Sequence, residues 1–390
     1  MPSSSSPSVK TWVFLACFVL ILAVFTPLAT AGMNSGRREP IVQIKPGATE
    51  PTYSVEAGLG GDVFPVFANF ASFQTPAERQ LGIVTVTITN PTTSLLRKRV
   101  TVQVPGWSDQ EIQIVEMGTG QVRKLFFAPT FQSRLYLNRE IAAATVLVTI
   151  SDVGSREVYS TTVPVRLRSA GDMYWGKNFI YAKFIASWVT PHDAQVESIL
   201  MRAKEYMPGR RMPGYETWRV PGAQEKSTYA QARAIYRALQ QKGVSYVKSS
   251  STLGSHVNAA VSERVRLPRE SLRHVSANCI DGAVLYASLF ENLGMDPVIV
   301  LVPGHAYVGV RLAQGSEKYL YIETAVTGRA TFERSVRSAA AGLAKFSAAQ
   351  RITIPIEQAR QAGIYPMPEQ LLAGENNSAD SGNRDALGRK

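Results

Sequence analysis

The chain has 390 residues, 45% of them hydrophobic, with 42 Lys and Arg against 30 Asp and Glu, a net charge of +12, and two cysteines. At roughly 150 residues per domain this length predicts two or three folding units, and the apolar content excludes a wholly disordered chain. Two cysteines exclude a disulfide scaffold and a cysteine-rich zinc module; the basic surplus permits anionic partners without identifying one.

Residues 1–31 read as an export signal. Lys10 precedes an apolar run from Thr11 to Phe25, and Ala29-Thr30-Ala31 supplies the small residues of a cleavage site. The run is shorter than the ~20 residues of a membrane-spanning helix. The alternative is an uncleaved N-terminal anchor. Cys17 lies inside the run, so cleavage removes it together with Lys10 and leaves 41 basic residues, 30 acidic residues and one cysteine. The expected location is periplasmic or secreted, where thiols are oxidised and a lone cysteine has no internal partner. Such a cysteine is buried and inert, paired with another molecule, or used as a thiolate.

Residues 32–80, rich in Gly and Pro, are expected to hold a leader and one or two early strands. From 81 to 170 the pattern has period two. Val84, Val86 and Ile88 alternate with Thr85, Thr87 and Thr89, and Val100, Val102 and Val104 precede a Pro105-Gly106 turn. Ile112 and Ile114 follow, then Val146, Val148 and Ile150. Short alternating strands between turn signals predict an antiparallel β-sandwich of immunoglobulin-like architecture, without the cysteine pair of true immunoglobulin domains. This half carries no evident chemistry and reads as a spacer or recognition module.

Residues 171–372 change to a mixed helical and strand pattern, an α+β domain. Thr190-Pro191 with Asp193 predicts a helix start, and Val196, Ile199, Leu200 and Ala203 its apolar stripe. Residues 208–214 form a basic loop. A second helix is expected from Thr228, carrying Tyr229, Ala232, Ile235, Tyr236 and Leu239 and stopping at Gly243. Residues 373–390 are polar and charged and read as a disordered tail.

The chemistry concentrates around Cys279. Asn278 can cap a helix that starts at Cys279 and runs to about Leu293, with Gly294 as its stop. Its apolar residues cover nearly the whole circumference, which places the helix inside a domain. A cysteine on the first turn meets the positive end of the helix dipole, which favours a thiolate. A continuous apolar strand, Val298 to Val302, precedes Pro303-Gly304 and a strand that begins at His305. His305, Tyr307, Gly309 and Arg311 face one side of it; Ala306, Val308, Val310 and Leu312 face the other. A three-residue loop at Ala313-Gln314-Gly315 would pair Leu312 with Ser316 and set His305 opposite Glu323. The polar strand face would then present a base and an acid together. A register slip of one residue would bring Thr324 there instead. Cys279, His305 and Glu323 are therefore the expected nucleophile, base and orienting acid.

These residues resemble the transglutaminase-like (papain-like) superfamily over about 225–330. The matching features are Cys279 opening an Ala- and Leu-rich helix, Gly294, the strand 298–302, His305-Ala306-Tyr307-Val308, Glu323-Thr324, and the earlier helix that leads to Tyr246. A narrower resemblance is to bacterial periplasmic transglutaminase-like cysteine proteinases, through Pro268-Arg269-Glu270, Cys279, Asp281 and Ala283. Asn278 and Ile280 stand where those proteins carry acids, in a segment that holds calcium in some members. The resemblance implies a cysteine hydrolase, a peptidase or amidase, that acts on a protein or peptide through an acyl-enzyme. Its rivals are a crosslinking transglutaminase and a non-catalytic envelope binding module that keeps the fold.

Asp281 reads equally as a helix-capping acid and as a charge near the thiol. His274 reads as a solvated loop residue, and His192 and His256 have no evident partners. No ligand-spaced cluster suggests a metal, and neither a cofactor nor nucleic acid is expected. The short basic runs Arg97-Lys98-Arg99 and Arg210-Arg211 read as solvated faces with a possible attraction to anionic envelope polymers.

Overall fold

The computed structural model describes residues 42–43, 50–68, 70, 75–154, 157–216, 222–248 and 262–368. The expected export signal with Cys17, His256 and the expected tail 373–390 lie outside the described residues. The protein is a mixed α/β structure with several sheets.

The first half is built from β1 (Val42–Gln43), β2 (Thr52–Ala57), β3 (Asp62–Val63), two short helices α1 (Pro65–Ala68) and α2 (Pro76–Arg79), then β4 (Val84–Asn90), β5 (Leu96–Gln103), β6 (Glu111–Met117) and β7 (Gln121–Phe127). A one-turn helix α3 (Arg134–Leu137) leads to the long strands β8 (Ala142–Asp152) and β9 (Glu157–Leu167). One sheet has the order β1-β7-β4-β2 and the other β3-β9-β8-β5-β6; all pairs are antiparallel except β3 with β9. Val84, Val86 and Ile88 from the first sheet join Val100, Val102, Val146, Val148 and Ile150 from the second in one buried cluster. The alternation seen in sequence is therefore the inward face of two sheets that share a core. Strand β6 differs from expectation. Ile112 and Ile114 point outward, 42% and 58% exposed, whereas Val115 and Met117 are buried. Polar side chains occupy the inward positions at its start. Glu111 accepts from the Ala128 N–H and Gln113 donates to the Phe126 carbonyl, tying this edge strand to the facing sheet.

The second half follows through β10 (Asp172–Tyr174), α4 (Ala194–Ala203), α5 (Ala223–Lys242), β11 (Ser245–Tyr246), β12 (Ser262–Arg264), α6 (Pro268–Arg273), β13 (Ser276–Ala277), α7 (Cys279–Asn292), β14 (Pro297–Val302), β15 (His305–Arg311), β16 (Tyr319–Ile322), α8 (Phe332–Leu343), β17 (Ile352–Pro355) and α9 (Ile356–Gln361). Val196, Ile199, Leu200 and Ala203 of α4 are buried as expected, but the cap is Asp193, whose carboxylate accepts from the Gln195 N–H. Thr190 instead donates its N–H to Ser288 on α7. Helix α5 starts five residues earlier than its apolar stripe, because its first turn is made of good helix formers that bury little. Gly243, in the left-handed conformation at φ 89°, ends it.

A four-stranded antiparallel sheet, β16-β15-β14-β17, forms the frame of the site. Every residue of β14 is buried, because the sheet is covered on both faces. Ile299, Leu301, Ala306, Val308 and Val310 join the residues of α7 in the large core. Val298, Val300, Val302 and Tyr307 form a second cluster with Ala339 and Leu343 of α8. The large core reaches back to Phe64, Phe67 and Tyr136, and the Phe64–Tyr174 and Phe67–Phe184 ring pairs, with centroids 5.1 and 4.9 Å apart, join the two halves. No helix among the described residues is long and apolar enough to cross a membrane.

Candidate active site

Helix α7 begins where the sequence predicts. Asn278 caps it by accepting from the Asp281 N–H at 2.8 Å, and Asp281 returns the bond to the Asn278 N–H at 3.3 Å. This reciprocal pair leaves the first-turn N–H groups of Cys279 and Ile280 outside the capping box. Asp281 also accepts from the Arg266 N–H at 2.9 Å. Burial pushes its carboxyl up, while the backbone donors of Arg266 and Asn278 oppose the rise. Asp281 thus anchors the incoming loop to the helix start, so the structural one of its two expected roles is the one its contacts fill.

His305 opens β15, paired across the Pro303-Gly304 turn with Val302. Its Nε2 lies 2.8 Å from Glu323 Oε2, and the Cys279 side chain is close enough to the same ring to act on its titration. With Nε2 engaged by the carboxylate, Nδ1 is the nitrogen left for the thiol. Glu323 is fixed through its other oxygen, which accepts from the Ala325 N–H at 3.0 Å, and through its carbonyl, which accepts from Ser335 Oγ on α8 at 2.9 Å. Burial alone lowers the pKa of His305. The neighbouring Cys279 and the hydrogen-bonded Glu323, together with their charges, outweigh it and raise the value to about 10. The imidazole therefore keeps its proton at neutral pH. Cys279 is partly exposed, and the His305 side chain is 25% exposed, so a substrate can reach both.

The three expected residues are brought together, but not by the expected hairpin. Leu312 pairs with Lys318, making the loop five residues long from Ala313 to Glu317. Arg311 faces Tyr319 and Val308 faces Ile322, a register two residues away from the expected one. Continued to its end, that ladder would set Tyr307, not His305, opposite Glu323. An even shift keeps every side chain on its face, so Glu323 stays on the side of His305. Strand β16 stops at Ile322, and a short turn over Thr324–Val326 delivers the carboxylate diagonally to the ring. Tyr307 is buried beneath α8 and Gly309 against Tyr321 and Val298, leaving His305 at the rim.

Two supports were not read from the sequence. Ser335 belongs to a helix distant in the chain. Gly282, three residues after Cys279, has a legible signal as the one position without a side chain in an otherwise filled helix. A Cβ there would stand 2.6 Å from Thr324 Oγ1 and 2.9 Å from Thr324 Cβ. Glycine thus lets α7 approach the segment that carries Glu323. Gly282→Ala is expected to cost about 1–3 kcal/mol by overpacking and to loosen the His305–Glu323 contact. Urea unfolding of the variant checks this; an unchanged midpoint would show that Thr324 yields freely.

His274 caps the end of α6 and is exposed, as is His192. Among the described residues, no group of three or more His, Cys, Asp and Glu side chains is gathered to hold a metal ion. No family model matches the chain, and no curated protein matches its sequence.

Proposed function

We propose that this chain is an exported cysteine hydrolase of transglutaminase-like type, cleaving amide bonds in a protein or peptide substrate. In this reading residues 171–372 form a papain-like α+β domain, and the two sheets before it are an immunoglobulin-like sandwich. The observation that carries the proposal is the hydrogen-bonded His305–Glu323 pair set beside Cys279 at the start of a buried helix.

The protonated imidazole is the partner a Cys279 thiolate needs. The sulfur attacks the substrate carbonyl carbon, and the electron pair of the C=O bond moves to oxygen. The Cys279 N–H, outside the capping box, is a donor for that oxyanion. As the C–N bond breaks, His305 gives its proton to the departing amine and leaves a thioester. Water then loses a proton to the now neutral imidazole and attacks the thioester. The C–S bond breaks, releasing the carboxylic acid and restoring the thiolate–imidazolium pair. Glu323 holds the ring in orientation and stabilises its charge throughout.

The test is alkylation of Cys279 by iodoacetamide at pH 6, where about 0.3% of an ordinary cysteine of pKa ≈ 8.5 is ionised. Cys279 is expected to react at least tenfold faster than free cysteine, and His305→Ala to abolish the advantage. Equal rates for the wild type and free cysteine would refute the activated thiol. A labelled amine added to the substrate digest separates hydrolysis from crosslinking, and predominant amine incorporation would replace the hydrolase reading with the transferase one.

A further inference from the structure

We propose that Tyr307 is a positioning residue for His305, seated by a glycine notch in helix α8 that supports the site from behind. This rests on the reading of Cys279, His305 and Glu323 given above.

Residues two apart on a strand share a face, so Tyr307 stands beside His305. Their rings meet at a centroid distance of 4.7 Å with planes 81° apart. Tyr307 is 5% exposed, and its hydroxyl lies against Gly342, where any Cβ would overlap it. Gly342 comes seven residues, two helical turns, after Ser335, the residue that holds the Glu323 carbonyl. One face of α8 therefore braces both partners of the pair, the acid through Ser335 and the base through Tyr307. A perpendicular aromatic contact limits rotation of the imidazole about its χ2 bond. It also offers π-electron density to the imidazolium form, an interaction worth more where water is excluded.

Among the described residues, the charged and titratable groups around His305 are few. Glu323 approaches from the turn after β16, and Cys279 from α7. Val302, opposite on β14, brings no charge. Tyr246 of β11 lies within electrostatic range of Cys279 and Glu323, and the Tyr307 phenol, pushed up to about 12 chiefly by burial, stays neutral.

The experiment follows the His305 ring proton by NMR through a pH titration of the full chain, with Cys279 alkylation at pH 6 as a companion. In the wild type that proton is expected to show a ring-current shift from Tyr307; its absence would overturn the proposal. Tyr307→Leu is expected to lower the titration midpoint by about one pH unit, while Tyr307→Phe, which keeps the ring, holds it within a few tenths. A folded Tyr307→Leu with the wild-type midpoint refutes the inference, as does a Phe variant that moves as far as the Leu variant. Should Tyr307→Leu fail to fold, Gly342→Ala, which expels the phenol from its notch, is expected to lower the midpoint in the same direction, and an unmoved midpoint overturns the proposal. A wild-type Cys279 that alkylates like free cysteine refutes the enzyme reading instead, whatever the Tyr307 variants do.

Discussion

Glu323→Gln is expected to reduce kcat/KM for amide hydrolysis by roughly 10³–10⁴-fold while leaving the protein folded. Two bonds compete for the new side chain. The Ala325 N–H, 3.0 Å from Glu323 Oε1, needs an acceptor and will keep the amide oxygen. The amide NH₂ then faces His305 Nε2, where the carboxylate now lies at 2.8 Å. A donor facing Nε2 forces that nitrogen to accept, so a neutral ring must carry its proton on Nδ1, toward the thiol. That tautomer cannot take the Cys279 proton, and the imidazolium loses the charge that favours it. The backbone bond from Ser335 Oγ to the residue 323 carbonyl survives the substitution, so segment 323–327 stays in place. Rates measured on peptides that the wild type cleaves, with circular dichroism as the folding control, decide the matter. A folded variant within tenfold of wild type would remove the carboxylate from the proposed mechanism.

The same carboxylate shows what the sequence could and could not reveal. Cys279 at a helix start follows from Asn278, Asp281 and the apolar helix after them, all local signals, and the structure has that helix with that cap. The period-two runs around Val84–Ile88 and Val146–Ile150 likewise mark strands, because one face of each is buried in a shared core. Parity was legible in the hairpin of β15 and β16; register was not. Alternation states which face Glu323 takes, but the loop from Ala313 to Glu317 admits more than one closure, and each even shift preserves the pattern. The two faces of β15 were legible as well, but not that the face of Tyr307 and Gly309 is covered. A strand of mixed character looks half-exposed until the helix that covers it is known. Helix α8 has its own apolar stripe at Phe332, Val336, Ala339 and Leu343, yet nothing in that stripe names the sheet face it covers. What escaped the sequence is long-range, as with Ser335 on Glu323 and Gly342 against Tyr307.

Glu263→Gln is expected to stabilise the protein increasingly as pH rises, by an amount that grows by about 3 kcal/mol between pH 4.5 and pH 8. Glu263 sits on β12 opposite Met173 of β10, 4% exposed, and its Oε2 has no hydrogen-bond partner among the described residues. Burial raises its pKa from 4.5 to about 7. The nearby Trp175 indole, which makes no well-formed hydrogen bond among the described residues, lowers it, and the charge of Asp281 raises it further. The sign follows from counting protons. Below 4.5 both the folded and unfolded chains hold the proton, and nothing is lost. Between 4.5 and 7 the unfolded chain releases it while the folded chain keeps it, so stability falls as pH rises. Above 7 the folded chain bears a buried charge and the loss is complete. Glutamine has the same shape and no proton to release, so only the change of the variant-minus-wild-type difference with pH isolates the charge; its size at one pH also contains the amide's own packing. Urea midpoints of both proteins across this range supply that change. A difference constant from pH 4.5 to 8 would show that Glu263 is already ionised in the fold and paired in a way the β10–β12 ribbon does not reveal. The effect reaches the site through one neighbour. Asp281, whose negative charge repels that of an ionised Glu263, belongs to the cap of α7, the helix that carries Cys279.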